Sequence, residues 1–176
     1  MPLPVAHGLV GASVVALWRA RGSPSHDWPS LFKGAGLAVS PDLDFILVWV
    51  FHLSGSWHRG FTHSILMALI VTSLMLAALG RTQTRVAFAF GSAFLSHGLL
   101  DFLTTKRGGG VELLWPFSAE RFKLGLISFS DFPAGFHVAE MLKWSGLECL
   151  VFTPVFVCVL LLRSDVLSSF RSAHDA

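Results

Sequence analysis

The segment 96–104, "SHGLLDFLT", places two ionisable residues, His97 and Asp101, at the end of a long apolar run. Residues four apart on a helix lie on neighbouring turns of one face, so both side chains can hold one ion together. Ala89 and Ala93 continue this face, and small residues allow another helix to approach closely. The segment predicts a helix-packing seam that ends in two metal ligands. The alternative is that His97 and Asp101 only hydrogen-bond each other to join helices.

The composition indicates one membrane-embedded domain over residues 1–176. Hydrophobic residues make up 53% of the chain and charged residues 14%, and the mean hydropathy is +0.63, which exceeds that of ordinary soluble domains. The net charge is only +2 and the basic residues are scattered, so nucleic acid is not an expected partner. Cys149 and Cys158 lack a metal or redox spacing. The N-terminal run has no basic region before it, so we expect it to remain on the mature protein.

Three apolar runs approach the roughly 20 residues that cross a bilayer. They cover residues 61–80, 86–104 and about 146–162. Two shorter runs, 4–18 and 43–53, are typical of buried bundle helices or of helices that enter the membrane partway. We therefore expect an all-α helical membrane bundle with about three spanning helices plus shorter buried or partly inserted helices. This is a multi-pass arrangement.

The breaks between these runs are rich in glycine, proline and polar residues and predict loops. They lie at residues 21–30, 54–60, 80–85 and 105–110, and residues 111–143 read as an aromatic-rich segment at the membrane surface. A hairpin of the second and third runs puts His58, His63 and Asp101 at one end and Arg81 with Arg85 at the other. The distribution of basic residues leaves open which side of the membrane the histidines face.

The segment 40–45, "SPDLDF", has the features of a helix start, with Ser40 as a cap and Pro41 in the first turn. Asp42 and Asp44 then fall in or near that turn. Side chains two apart on a regular helix point in roughly opposite directions. Unless the helix end unwinds, we expect one of the two carboxylates to be a ligand and the other a cap or a supporting partner.

The segment 57–64, "WHRGFTHS", adds two histidines around a glycine. Gly60 interrupts the helical register, so His58 is expected in a loop and His63 just inside a helix capped by Thr62. Arg59, between them, is placed either to clamp a phosphate or to anchor the chain at lipid headgroups.

Ionisable residues within apolar segments are costly and are therefore candidates for function. With His7 in "VAHGLVG", the candidates are four histidines and three aspartates: His7, Asp42, Asp44, His58, His63, His97 and Asp101. Imidazole and carboxylate ligands suit zinc, and also manganese or iron. Seven ligands exceed the needs of one tetrahedral ion, so we expect one to two divalent ions.

Five motifs in order over residues 6–118, "AHGLVG", "PDLD", "HRGFTHS", "SHGLLDFLT" and "LWPFS", resemble the YdjM-like family of bacterial inner-membrane, metal-dependent hydrolases. The resemblance implies a place in the zinc-dependent phospholipase C and single-strand nuclease superfamily, helical bundles whose metals cleave phosphoesters. It casts the following residues as metal ligands, with Asp42 and His63 close by: His7, Asp44, His58, His97 and Asp101.

The chain departs from that superfamily downstream, where a later histidine and an HxxxE element supply further ligands. Here the same region offers only His137, Glu140 and Glu148. We expect His137 and Glu140 to be surface residues. Glu148, near the mouth of the last apolar run, is expected to face the bundle interior and is a candidate metal ligand.

These features favour a membrane-bound hydrolase of a phosphoester or phospholipid that uses metal-activated water. Asp42 or His63 would orient the water or act as base, Arg59 would hold the phosphate, and membrane lipid would be the partner. The alternative is a metal-binding or metal-transporting membrane protein that is not an enzyme. An intramembrane protease is disfavoured because the chain lacks HExxH.

Overall fold

The computed structural model describes residues 2–18, 27–106, 109–126 and 138–163, and this part of the chain forms six α-helices and no strand. The predicted all-α bundle is confirmed. The helices are α1 (Pro4–Trp18), α2 (Trp28–Val39), α3 (Phe45–Trp49), α4 (Ile65–Leu79), α5 (Thr84–Thr104) and α6 (Val138–Arg163). Short 3₁₀ turns lie at Ser40–Asp44, Gly55–Trp57, Phe61–His63 and Arg81–Gln83.

Helix α1 lies at the centre of the bundle and packs against α2, α5 and α6. Its glycines allow the close approach. A Cβ atom on Gly11 would lie 2.3 Å from the Cβ of Ala38 and 2.6 Å from the carbonyl oxygen of Gly34. Helices in lipid associate through this kind of close van der Waals packing, because lipid offers no hydrophobic driving force between them.

The apolar core lies where α1, α2 and α5 meet. Ala89 and Ala93 of α5 are buried in it, so the predicted packing seam is confirmed. Its buried members are Ala12, Val15, Ala16, Leu31, Ala89, Phe90 and Ala93. Helix α4 packs on another side of α5, where a Cβ atom on Gly91 would overlap the side chain of Thr72.

Two helical stretches are long and apolar enough to cross a membrane, Arg81–Thr104 and Val138–Arg163. They correspond to the predicted spans 86–104 and 146–162, although the last helix begins eight residues earlier than expected. The remaining predicted span, 61–80, is not one straight helix. The chain bends by 52° between Gly55–His63 and Ile65–Leu79, so it is a third span only if the bent pair counts as one.

The bend has a local cause at Ser64. This residue is extended (ψ 156°), and its hydroxyl accepts a hydrogen bond from the Met67 amide, so Ser64 caps α4. The prediction that Thr62 caps the helix with His63 inside it is therefore wrong. His63 lies in the 3₁₀ turn before the helix.

Helix α2 was not predicted, and its first residues fall in the predicted loop 21–30. The missed signal is Asp27, whose carboxylate accepts a hydrogen bond from the Ser30 amide, followed by Pro29 at the helix start. A 3₁₀ helix begins at Ser40 with Pro41 in its first turn, but Ser40 is not its cap. Its hydroxyl donates to the Leu37 carbonyl, and the chain continues from α2 through a 3₁₀ turn into α3.

Gly11→Ala is expected to destabilise the bundle, because the added methyl meets the α2 backbone. Overpacking of this kind costs about 1–3 kcal/mol. The measurement is the thermal unfolding midpoint in detergent. Gly36→Ala on α2 is the matched control, since no atom lies within 4 Å of its added Cβ. Equal midpoints for the two variants would contradict the close packing of α1 on α2.

Candidate metal centre

The histidines and aspartates of four separate segments meet at one end of the bundle. His7 comes from α1, His97 and Asp101 from the last turns of α5, and the others from the 3₁₀ turn 40–44 and the loop 58–63. Gly98 makes the meeting sterically feasible. A Cβ atom there would lie 2.5 Å from the carbonyl oxygen of His63. Gly98 therefore allows α5 to pack against the loop 58–63, which we call the histidine loop.

The charged and imidazole atoms of this cluster lie close together. His97 Nε2 is 3.3 Å from Asp42 Oδ1, and His7 Nε2 is 3.5 Å from Asp101 Oδ1. His63 Nε2 lies 3.8 Å from both Asp42 Oδ1 and Asp101 Oδ2. The His7 and His97 rings stack with centroids 3.7 Å apart, and the His63 ring stands edge-on to His97 at 4.6 Å. Two of the predicted carboxylate ligands, Asp42 and Asp101, therefore lie in one cluster with three imidazoles.

Three histidines are oriented by a partner on the Nδ1 side. His58 Nδ1 donates to Asp44 Oδ1 at 2.7 Å, and His97 Nδ1 donates to the Ala38 carbonyl at 2.6 Å. Thr62 gives its hydroxyl proton to Asp44, so it must accept from His63 Nδ1. In each ring Nδ1 therefore carries the proton, and Nε2 has a free lone pair. This is the tautomer that a metal-ligating histidine needs.

The free lone pairs have no hydrogen-bond partner in the part of the chain that the structure describes. The atoms concerned are buried: Nε2 of His7, His58, His63 and His97, Oδ1 of Asp42, and both carboxylate oxygens of Asp101. Buried polar atoms are almost always paired, because an unpaired one costs free energy. A cluster of unpaired imidazole nitrogens and carboxylate oxygens fits the ligand chemistry of a divalent cation.

Three overlapping sets bring one ligand atom from each member within 4.8 Å of the others. They are His7 with Asp42 and His97, His63 with His97 and Asp101, and Asp42 with Asp44 and His58. Every histidine and aspartate predicted as a ligand belongs to at least one set. His58 shares no set with His97 or Asp101, and the ring of His63 lies between the two imidazoles, edge-on to both.

The side chains of the cluster have a net negative charge that a cation would neutralise. Asp42, Asp44 and Asp101 contribute three negative charges, and Arg59 contributes one positive charge, with its Nε 3.2 Å from Asp101 Oδ2. With neutral imidazoles the sum is 1 − 3 = −2, which one divalent ion would cancel. Uncompensated buried charge is costly, so the balance supports a bound metal.

Asp44 connects two segments through hydrogen bonds of its carboxylate. Its Oδ1 accepts from His58, and its Oδ2 accepts from the Thr62 hydroxyl and the Arg59 amide. Burial by itself would raise the pKa of this carboxyl, but the hydrogen bonds from His58 and Thr62 and the nearby imidazoles hold the pKa below its usual range. Asp44 makes no side-chain cap to α3. It joins the 3₁₀ turn 40–44 to the histidine loop.

Asp42 faces the other histidines. Burial would raise the pKa of its carboxyl, but the His97 imidazole beside it lowers the pKa below the usual range. Its side chain keeps 12% of its surface exposed, whereas His63 and Asp101 keep none. Asp42 is therefore, together with His58 (15% exposed), one of the two ligand candidates nearest to an opening of the site.

Arg59 lies in the left-handed region, with φ 62°. A non-glycine residue there costs about 1–3 kcal/mol. Three contacts hold it: its amide on Asp44, its carbonyl accepting from the Glu112 amide, and its guanidinium beside Asp101. The predicted phosphate clamp is thus a buried partner of a metal-ligand candidate, not a headgroup anchor extended into solvent.

Sequence reasoning missed Arg121, which fixes the histidine loop from outside. Its guanidinium pairs with Glu112 at 2.9 Å and donates to the carbonyl oxygens of His58 and Ser56. The segment around it returns antiparallel to itself through a bridge between Val111 and Phe122. The available signal was the charge pair Glu112 and Arg121 within an aromatic-rich stretch.

Glu148 of α6 is buried, as expected, but its side chain contacts the start of α1. Its two carboxylate oxygens accept hydrogen bonds from the amides of Leu3 (2.5 Å) and Ala6 (3.1 Å). It belongs to none of the three ligand sets among the described residues. Glu148 therefore ties α6 to the helix that carries His7. Glu140 is exposed, and His137 lies outside the described residues.

The fold and the site define a helical membrane protein with a buried cluster of histidines and aspartates. The model of the YdjM inner membrane protein family matches residues 1–169, and the chain belongs to this family. It is also similar to "Inner membrane protein YbcI" of Escherichia coli (strain K12), with 41% identity over 100 residues. That alignment covers 52% of this chain and 56% of the relative, so the chain spans about half the length of the relative it matches. No solved structure matches the chain.

Glu148→Ala is expected to destabilise the fold without removing a ligand atom. Two backbone amides at the start of α1 would lose their acceptor, at about 1–3 kcal/mol for each unsatisfied group. Thermal unfolding in detergent measures this loss, and Glu140→Ala, an exposed change on the same helix, is the control. Loss of metal from folded Glu148→Ala protein, with an unchanged unfolding midpoint, would instead make Glu148 a ligand.

Proposed function

We propose that this chain is a multi-pass, membrane-bound metal-dependent hydrolase that acts on a phosphoester or phospholipid. The observation that carries the proposal is the convergence of the unpaired Nε2 atoms of His7, His63 and His97 with the oxygens of Asp42 and Asp101 in one buried cluster. Family membership supports the membrane location but leaves the activity open, so the activity rests on the site chemistry.

The residues proposed to hold the metal are those whose ligand atoms have no hydrogen-bond partner among the described residues. His7, His63 and His97 offer Nε2, and Asp42 and Asp101 offer carboxylate oxygens. His58 and Asp44 complete a second set with Asp42, so one to two ions fit. Zinc is favoured by the mixture of imidazole and carboxylate, and manganese is the next choice.

A divalent ion in such a site supplies Lewis-acid activation of water and of a phosphoryl oxygen. The chain's own groups would do the remaining work. The Asp42 carboxylate, at the edge of the cluster, is placed to take a proton from water. His63 lies between Asp42 and Asp101 and can fix the orientation of a bound water. The Arg59 guanidinium adds positive charge beside Asp101, where a phosphate oxygen would be stabilised.

The transporter alternative needs an ion path through the bundle. Helix α1 runs from His7 through Ala12 and Ala16 to Trp18, and α5 runs the opposite way from Arg85 through Ala89 and Ala93 to Asp101. The segment between the two ends is therefore apolar core, and the Arg85 guanidinium donates to the Trp18 carbonyl at the far end. These features favour a site open from one end only.

Loss of single ligands tests the metal centre. His97→Ala and Asp101→Ala are each expected to lower metal content or affinity by about 10–100-fold or more, since both remove atoms directed into the cluster. Element analysis of purified protein measures it. His52→Asn is the control, because His52 is exposed and asparagine tolerates its positive φ of 53°. Full metal content in either ligand variant would assign that residue a purely structural role.

Activity and transport are distinguished on the same preparation. The hydrolase proposal predicts release of product from a phosphodiester or phospholipid panel after zinc or manganese addition, and its loss in Asp42→Asn protein. Sealed vesicles that contain the pure protein should show no saturable metal flux. Saturable flux abolished by Asp101→Ala, together with an inactive panel, would replace the hydrolase by a transporter.

A further inference from the structure

An apolar groove lies directly beside the metal-ligand cluster. It runs between the start of α1, the segment from Val39 to Val50 and the first turn of α6, and its volume is about 380 Å³. Cavities of about 300–1,000 Å³ are typical of sites for small organic ligands. The groove is therefore large enough to be a binding site.

The wall of the groove is apolar except at one point. Among the described residues that line it, Asp42 is the charged one, and the others are aliphatic, aromatic, proline or methionine. Asp42 also belongs to the cluster, where its Oδ1 lies 3.3 Å from His97 Nε2. A ligand that fills the groove must be apolar along its length and polar at the end that reaches Asp42.

The sequence arranges this wall as a stripe. Asp42, Ile46 and Val50 lie four residues apart in succession, and Leu43 is three residues before Ile46, so these side chains follow one side of the 3₁₀ turn and α3. Leu43 and Val50 remain more than 60% exposed. On the opposite wall stand Leu3 and Met141.

We infer that this groove binds the alkyl chain of a membrane lipid, with the lipid's polar head at Asp42 and the metal-ligand cluster. The inference rests on the proposed function only for the hydrolysis of the lipid's polar head, and it names a membrane lipid as the substrate class of the metal-ligand cluster. The occupant is argued from the surroundings. In the most apolar window of α6, whose first turn forms one wall, only 6% of residues are buried in the protein, as expected for a helix that faces lipid.

A water-soluble phosphoester would gain nothing from the groove. Its polar body would lose hydration against an apolar wall without hydrogen bonds in return. An alkyl chain instead covers apolar surface that would otherwise stay exposed, at about 25 cal/mol per Å² buried. The groove thus selects amphiphiles over free phosphates.

Photo-cross-linking tests the inference. The full-length protein is placed in vesicles of phosphatidylethanolamine and phosphatidylglycerol that contain a phosphatidylethanolamine with a diazirine in its acyl chain. Mass spectrometry should locate the adducts in the segment from Val39 to Val50 and near Met141. Dodecyl phosphate should compete for labelling, whereas glycerol phosphate should not. Adducts spread evenly over the outer faces of α4 and α6 would overturn the inference.

A groove-filling variant adds a matched comparison. Ile46→Trp, with Val50→Trp as a second variant if the first fails to fold, should reduce groove labelling by about fivefold or more, the equivalent of the roughly 1 kcal/mol minimum cost of overpacking. Leu74→Trp on α4 is the control, since Leu74 is exposed away from the groove. Equal labelling in Ile46→Trp and Leu74→Trp would overturn the inference.

The outcome is separable from that of the proposed function, because labelling is measured with and without chelator. Groove labelling in protein that binds no added zinc or manganese and cleaves no member of the phosphoester panel would support the lipid site and overturn the hydrolase. Metal binding and cleavage of a soluble phosphodiester, with no preference for the groove, would support the hydrolase and overturn the lipid site.

Discussion

Burial of ionisable side chains among apolar helices is the constraint on which the rest of the structure depends. His7, His97 and Asp101 are almost fully buried, and each unpaired polar atom there would cost free energy. The Nδ1 atoms of three imidazoles have hydrogen-bond partners: His58 bonds to Asp44, His63 to Thr62, and His97 to the Ala38 carbonyl. The opposite nitrogens have no hydrogen-bond partner among the described residues, and those of His63 and His97 both lie beside Asp42. Such a cluster persists only if something else compensates it, and a divalent cation has the matching charge.

The sequence predicted the part of the site that lies on one regular helix. His97, Asp101 and the alanine seam follow from spacing alone, because α5 is continuous from Thr84 to Thr104. The histidine loop could not be placed as well. Thr62 and Ser64 are both plausible caps, and the choice depends on tertiary contacts: Thr62 is engaged by Asp44 and His63, which leaves Ser64 to cap α4. Glu148 was rightly expected to be buried, but its amide partners at the start of α1 are 142 and 145 residues away in sequence.

The two aspartates of "SPDLD" show how local geometry alters a periodicity argument. On an α-helix, residues two apart point in roughly opposite directions, and one carboxylate would have left the cluster. The segment is a 3₁₀ turn, where three residues make a turn and residues two apart are separated by about 120°. Asp42 therefore reaches His97 and His63, while Asp44 reaches His58 and Thr62. Both carboxylates serve the cluster, from adjacent sides.

The two ends of the bundle differ, and this difference determines the side from which the cluster is accessible. On one side of it, the small residues of α1 and α5 pack closely into an apolar core, and Arg85 at the far end donates to the Trp18 carbonyl. On the other side, Arg121 and Glu112 hold the histidine loop in place, and Asp42 borders an apolar groove. Under the proposed function, a reactant would approach the candidate ligands from the side where the histidine loop and the apolar groove meet. A molecule with a polar head and an apolar chain matches both surfaces at once, which a metal ion in transit does not.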